Sequence, residues 1–176
     1  MSALRIEWLY EIDEYGESPL SRVSKSGRMD IANILFHQNI EDALKEVTQA
    51  PEIHRASYFG YDDVVTEMTA SGHDTESLDQ QGERPIHKAA RHGHYKVVQV
   101  LLDSGAEIDA PNALGLTPLH WAVIKGDVEM VELLLNRGAN PTVRDWVTGG
   151  KTPLQIARLM KYKEITENLE YRQMLW

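Results

Sequence analysis

Four glycines stand 33 residues apart along the chain, at Gly27, Gly60, Gly93 and Gly126. A glycine kept at a fixed interval indicates that one backbone turn is used repeatedly, and an interval of this size is typical of stacked helix-turn-helix units. Three further positions keep the same interval and are occupied by His54, His87 and His120, by Ala56, Ala89 and Ala122, and by Gly72, Gly105 and Gly138. We therefore expect an elongated stack, in which function resides on the surface rather than in a buried pocket.

One unit of this repeat reads as two short helices. Thr117 can cap a helix that begins at Pro118, because the missing N–H of proline costs nothing at the first helical position. Gly126 ends that helix, and residues 128–135 form a second one with apolar side chains at positions i, i+1, i+4 and i+5. Gly138 is placed to close the second helix in the left-handed conformation. Each helix is shorter than the roughly 12–15 residues needed for marginal stability in water, so stacking must supply the missing burial.

The residues of this unit resemble the ankyrin repeat. The similarity lies in Gly-Leu-Thr-Pro-Leu-His-Trp-Ala at 115–122, the valine- and leucine-rich helix that follows, and Gly-Ala at 138–139. The resemblance implies an all-α ankyrin-repeat solenoid of about five helix-turn-helix units joined by finger turns. The expected organisation is an N-terminal cap segment at residues 1–12 and an ankyrin repeat domain at residues 13–176, with repeats near 13–45, 46–78, 79–111, 112–144 and 145–176.

Several repeats depart from the pattern. The third repeat has Arg84 where the capping threonine belongs, so we expect a weaker helix start there. The second repeat lacks the Gly-x-Thr-Pro start and has Pro51 and its neighbours instead, while Asn39 takes the closing glycine position of the first. The last repeat follows a two-residue insertion, and Lys161 replaces its inter-helix glycine. Degenerate terminal units are typical of repeat proteins, because these units face water on one side.

The formal net charge of −9 is unevenly distributed. Residues 1–79 carry 16 acidic and 6 basic side chains, whereas residues 80–176 carry 11 acidic and 12 basic ones. An acidic half repels phosphate backbones, so we expect no binding to nucleic acid or to a membrane. The acidic half could bind a basic partner, or it could simply form a solvated surface. The chain has no cysteine and no apolar run of roughly 18 residues, and residues 1–10 lack the basic region and apolar stretch typical of a signal peptide. We therefore expect an intracellular, cytoplasmic protein that is a monomer when free.

Two motifs suggest chemistry that the repeat explains more simply. Gly149-Gly-Lys-Thr152 ends like a phosphate-binding loop, but Asp145 stands where the first glycine belongs and no apolar strand precedes it. The periodic histidines could suggest a metal site, yet the resemblance implies that they hydrogen-bond the backbone between repeats. Hydrolase, zinc-protease and dinucleotide motifs are missing from the sequence. We therefore expect no catalytic site, no cofactor and no metal.

The resemblance implies a non-catalytic protein-binding module, acting as an adaptor or stoichiometric inhibitor. In this family the finger turns and inner helix ends form a concave face that binds a protein partner. The residues expected to contact the partner are Tyr58, Phe59, Arg91, His92, Leu114, Leu116, Trp121, Ile124, Lys125 and Trp146. The large apolar residues of this set lack an obvious core role and are the expected anchors. The alternative is that each packs on its neighbouring finger.

Two other functions remain open. The chain could be an accessory subunit of an enzyme. It could also be a substrate of asparaginyl hydroxylation, which the family resemblance implies at the asparagine of Leu-Leu-Leu-x-x-Gly-Ala-Asn, matched here by Leu133 to Asn140. The sequence does not identify the partner, because the scaffold serves unrelated ones.

Overall fold

The computed structural model describes residues 51–147 and 149–174. Expectations about the cap segment 1–12, the first repeat and Asn39 lie outside these residues. Within them there are eight helices and no strand. The helices are α1 (Glu52–Phe59), α2 (Asp62–Ala70), α3 (Pro85–Arg91), α4 (Tyr95–Asp103), α5 (Pro118–Lys125), α6 (Val128–Asn136), α7 (Pro153–Met160) and α8 (Lys163–Gln173).

The eight helices form four pairs that stack in chain order. Within a pair, α1 packs on α2, α3 on α4, α5 on α6 and α7 on α8. Between pairs, α1 contacts α3, α3 contacts α5, and α5 contacts α7, while α2 contacts α4 and α6 contacts α8. The first helices therefore form one continuous inner layer. The apolar core runs the length of the stack, which confirms the expected all-α solenoid.

The turns follow the glycine pattern. Gly126 ends α5 with a φ of 71°, and Gly138 follows α6 with a φ of 92°, both in the left-handed region. Lys161 takes the same position after α7 with a φ of 61° and is the one non-glycine residue at positive φ in the described part of the chain. The backbone thus keeps the turn even where the sequence has lost the glycine that suits it.

The helix starts also follow the sequence. The hydroxyls of Thr117 and Thr152 accept backbone N–H bonds from the third residue of α5 and of α7, at 3.5 and 3.3 Å. Arg84 has no acceptor to offer at the start of α3, because a guanidinium only donates. At α5 and α7 a second hydrogen bond runs from the backbone N–H of the capping residue to the side chain of the third helical residue. This second bond is kept at α3, where the Arg84 N–H donates to His87 Nδ1 at 3.0 Å. The start of α3 therefore lacks the side-chain cap that the starts of α5 and α7 have.

The periodic histidines tie each repeat to the next. His87 Nδ1 accepts the Arg84 N–H, so its Nε2 carries the proton and donates to the carbonyls of Ala110 and Leu116, at 2.8 and 3.2 Å. Burial lowers the pKa of His87 to about 4 and keeps the ring neutral. Equivalent bonds run from His54 Nε2 to the Glu83 carbonyl at 2.8 Å and from His120 Nε2 to the Lys151 carbonyl at 3.3 Å.

Candidate protein-binding face

We call the surface formed by three finger turns and the C-terminal ends of α1, α3, α5 and α7 the finger face. We call the turns at residues 79–84, at residues 112–117, and at residues 145–147 and 149–152 the second, third and fourth fingers. The second finger is shaped by Asp79, whose Oδ1 accepts the N–H groups of Gln81 and Glu83 at 2.9 and 2.8 Å. Asn112 does the same for Leu114 and Leu116 at 2.9 Å each, and Asp145 accepts the Val147 N–H at 3.1 Å.

These three turn-forming residues were missed by the sequence analysis, although their signal is present. Asp79, Asn112 and Asp145 stand 33 residues apart, in the same phase as the glycines. Short side chains with an acceptor oxygen are the ones that fold a turn by bonding the backbone two residues on. Internal hydrogen bonds therefore hold the described parts of the three fingers.

Neighbouring fingers pack on each other through glycines. A Cβ atom on Gly82 would lie 2.8 Å from Ala113 Cβ, and one on Gly115 would lie 2.6 Å from the Trp146 ring. The backbone N–H of Trp146 also donates to the Leu114 carbonyl at 3.0 Å. The Trp146 side chain nevertheless remains 68% exposed. Trp146 therefore packs on the neighbouring finger and is also accessible to a partner, since one side of the ring covers the finger and the other faces solvent.

The helix ends bring aromatic side chains together. The Tyr58 ring centroid lies 4.2 Å from that of His92 and 4.9 Å from that of Phe59. Tyr58 is 44% exposed, whereas Phe59 is half-buried and packs on the core. Burial lowers the pKa of His92, and Arg91 and other nearby cations lower it further. Tyr58 is therefore the accessible member of this group.

A cation–aromatic contact links the next two repeats. The Arg91 guanidinium carbon lies 4.5 Å from the centroid of the Trp121 ring, within the range in which a cation is attracted to an aromatic face. Its Nη1 also lies 4.0 Å from Glu83 Oε2. Trp121 is half-buried, so the pair presents a flat and already ordered surface beside the fingers.

One expected anchor is placed differently. Leu116 is only 6% exposed and does not reach the surface. The finger turn causes this, because the Asn112 N–H donates to the Leu116 carbonyl at 2.9 Å and the Leu116 N–H returns to the Asn112 side chain. Ile124 is half-buried and packs against the core, while Lys125 is exposed. Leu114 remains as the exposed apolar residue of the third finger, at 43%.

A buried ion cluster fixes the second finger to α3. Lys88 Nζ lies 2.7 Å from Asp79 Oδ2 and 2.7 Å from Glu83 Oε2. Burial alone would raise the pKa of Asp79, but the Lys88 ion pair and the backbone N–H bonds outweigh it and hold that pKa below its usual range. Burial likewise opposes the charge on Lys88, and the two carboxylates raise its pKa. The charges of the second finger are thus largely neutralised inside the molecule.

The fourth finger borders a groove of about 480 Å³, which we call the basic groove. Its lining contains three cationic side chains and one large apolar one. Arg144 Nη1 donates to the Gly150 carbonyl at 2.7 Å, and Arg158 Nη2 lies 2.6 Å from Glu170 Oε1 on α8. The lining residues are Arg144, Gly149, Gly150, Lys151, Gln155, Arg158 and Leu159.

The Gly-Lys-Thr segment forms the end of this finger rather than a phosphate-binding loop. Thr152 caps α7, and its N–H donates to Gln155 Oε1 at 3.0 Å, so that group is not available to a phosphate. No group of three or more metal-binding side chains occurs in the described residues. None of the described helices is long and apolar enough to cross a membrane.

The comparisons with known proteins agree with this architecture. None of the curated proteins compared with the chain is similar to it at a significant level. The family model for ankyrin repeats matches residues 53–145 with three copies, which is more than half of the chain. The repeat phase, the four helix pairs and this match together place the chain in the ankyrin repeat family.

Proposed function

We propose that this chain is a non-catalytic adaptor or stoichiometric inhibitor that binds a protein partner through the finger face. Ankyrin repeats are generally protein–protein interaction modules. The observation that carries the proposal is a set of three exposed large residues, Tyr58, Leu114 and Trp146, contributed by three different repeats. Large aromatic and apolar side chains on a surface are the ones that anchor interfaces.

The finger face is organised before any partner arrives. The side chains of Asp79 and Asn112 hold their turns by two backbone bonds each. The Trp146 ring already lies against Gly115, and Arg91 already lies over Trp121. Little conformational entropy is therefore lost on association, and a preformed surface of this kind binds more tightly than a flexible one.

The test is to isolate the partner by affinity purification from the native source and to measure its dissociation constant by calorimetry. We expect alanine at Tyr58, Leu114 or Trp146 to weaken binding by about 2 kcal/mol, or roughly thirtyfold. Tyr171→Ala is the matched control, because Tyr171 is a 61% exposed aromatic residue on α8 and belongs to none of the finger turns. If all three variants fold as judged by circular dichroism and bind as tightly as the wild type, the proposal fails.

A second candidate function is modification of Asn140 by an asparaginyl hydroxylase. The residue lies in the turn after α6 and is half-buried. Its Oδ1 accepts the N–H and the hydroxyl of Thr142 at 2.9 and 2.7 Å, and its own N–H donates to Asp109 Oδ1 at 2.9 Å. Peptide mass spectrometry of the natively purified protein tests this, and an unmodified Asn140 in every preparation would remove the candidate.

A further inference from the structure

The basic groove differs from the rest of the finger face in charge. The second finger has its carboxylates paired with Lys88, and the third finger, residues 112–117, contains no charged residue. The groove beside the fourth finger gathers Arg144, Lys151 and Arg158, with Glu170 as the carboxylate paired with Arg158, on a chain whose net charge is −9. Three cationic side chains around one groove of an acidic protein favour a ligand that carries several negative charges.

Resting on the protein-binding function proposed above, we propose that the basic groove binds an acidic segment of the partner, in which carboxylates flank an apolar side chain. Cations alone would suit any anion, but Leu159 lines the same groove and is 64% exposed. Trp146 and Val147, on the same finger, are also exposed. The groove thus offers charged and apolar contacts side by side, which matches an acidic peptide better than a free anion.

The two arginines are held in position by the protein itself. Arg144 is bound to the Gly150 carbonyl, and Arg158 is paired with Glu170 across to α8. A guanidinium carries five N–H donors, so each of these bonds leaves other donors for a carboxylate. Exposed ion pairs are weakened by the side-chain entropy lost when they form. Because these two arginines are already held in place, less of that entropy is lost when a ligand carboxylate binds.

The position of the groove also sets the direction of the bound segment. Among the described residues, those before position 80 carry seven acidic side chains and one basic side chain, and the fourth finger is the last of the described fingers. An acidic ligand is repelled from residues 51–79 and attracted to the groove, so its acidic end lies over the fourth finger. A phosphate-rich membrane or nucleic acid is less favourable, because its extended negative charge would meet residues 51–79 as well.

The experiment uses a fluorescein-labelled peptide of about twelve residues, in which glutamates flank leucines, and the same peptide with glutamine for glutamate. Fluorescence anisotropy measures binding to the full chain. We expect the glutamate peptide to bind more tightly than the glutamine peptide. We also expect Lys151→Gln and Arg158→Gln each to weaken it by about fivefold and added salt to weaken it further. Lys163→Gln is the matched control, because it removes the same charge from an exposed site on α8.

The proposal is overturned if the two peptides bind equally, or if the groove variants bind like the wild type. It is also overturned if inorganic phosphate or phosphatidylserine vesicles bind the groove more tightly than the glutamate peptide. The two proposals fail separately. If the peptide result is negative while Trp146→Ala still weakens the purified partner, the finger face binds a partner that is not acidic at this end.

Discussion

At the residue scale, the inter-repeat histidines show what the loss of one backbone N–H changes in a hydrogen-bond pattern that is repeated along the chain. His87 and His120 each have a backbone N–H directed at Nδ1, from Arg84 and Thr117. The helix that contains His54 begins at Glu52, and its N-cap residue, Pro51, has no N–H, so the buried Nδ1 of His54 has no hydrogen-bond partner among the described residues. An unsatisfied buried nitrogen is costly, so we expect His54 to contribute less to stability than His87 and His120 do.

The buried histidines should make the stability of the protein dependent on pH. The unfolded chain binds a proton at His87 near pH 6.5, and the folded chain binds it only near pH 4. The stability contributed by the neutral ring is therefore fully present above pH 6.5 and is lost as the pH falls toward 4. For His87 alone we expect the free energy of unfolding to fall by about 2 kcal/mol between pH 8 and pH 5.

Chemical denaturation at the two pH values measures this change, and His87→Gln provides the control. Glutamine already occupies the equivalent position in the last repeat, where Gln155 Oε1 accepts the Thr152 N–H. The variant should fold and lose part of the pH dependence. An unchanged pH dependence in His87→Gln would show that His87 is not the titrating group.

The left-handed turn residues give a second prediction. Lys161 holds a φ of 61°, where a side chain costs roughly 1–2 kcal/mol relative to glycine, so Lys161→Gly should stabilise the protein by about 1 kcal/mol. Gly138→Val should do the reverse and destabilise by about 2 kcal/mol. A Cβ on Gly138 would meet no atom within 4 Å, so only the backbone conformation is at issue. Thermal melts measure both, and an unchanged melt for Gly138→Val would contradict the explanation.

At the scale of the element, helix boundaries and turns could be predicted from sequence, and the contacts between fingers could not. Thr117, Pro118 and Gly126 act within a few residues of themselves, so their roles are visible in the local pattern. Leu116 looked like a surface anchor because its burial depends on a turn closed by Asn112. The Lys88 cluster and the basic groove depend on how a finger packs against a helix, and a local sequence pattern does not predict such tertiary contacts.

The ion cluster between the second finger and α3 gives a third prediction. Lys88→Met leaves Asp79 and Glu83 buried with no cation at bonding distance from both, and we expect a loss of about 3 kcal/mol at pH 7. The loss relative to wild type should shrink as the pH approaches 4, because the carboxylates can then be protonated. Denaturant titrations measure this difference. Lys96→Met is the control, since Lys96 is highly exposed on α4 and should change stability by under about 0.5 kcal/mol.

At the scale of the whole molecule, stability depends on how many neighbours a helix pair has. The inner helix α5 contacts α3, α6 and α7, whereas α8 contacts α6 and α7 at the end of the stack. Repeat arrays gain stability from nearest-neighbour interfaces, so terminal units open more easily than central ones.

Hydrogen exchange should follow this order, with amides in α5 exchanging at least about tenfold more slowly than those in α8. Exchange followed by NMR under native conditions measures it residue by residue. Equal protection in the two helices would show that the described part of the chain unfolds as one cooperative unit rather than from its end.

The two extra residues of the fourth finger have a consequence for engineering. The inter-repeat bond from His120 reaches the Lys151 carbonyl 31 residues away, whereas the same bond from His87 reaches Leu116 after 29. The added length is therefore absorbed before Lys151, around Gly149 and Gly150, and the helices beyond it stack undisturbed. This pair of glycines is a natural grafting point, where a designer could install a longer loop of new specificity without redesigning the scaffold.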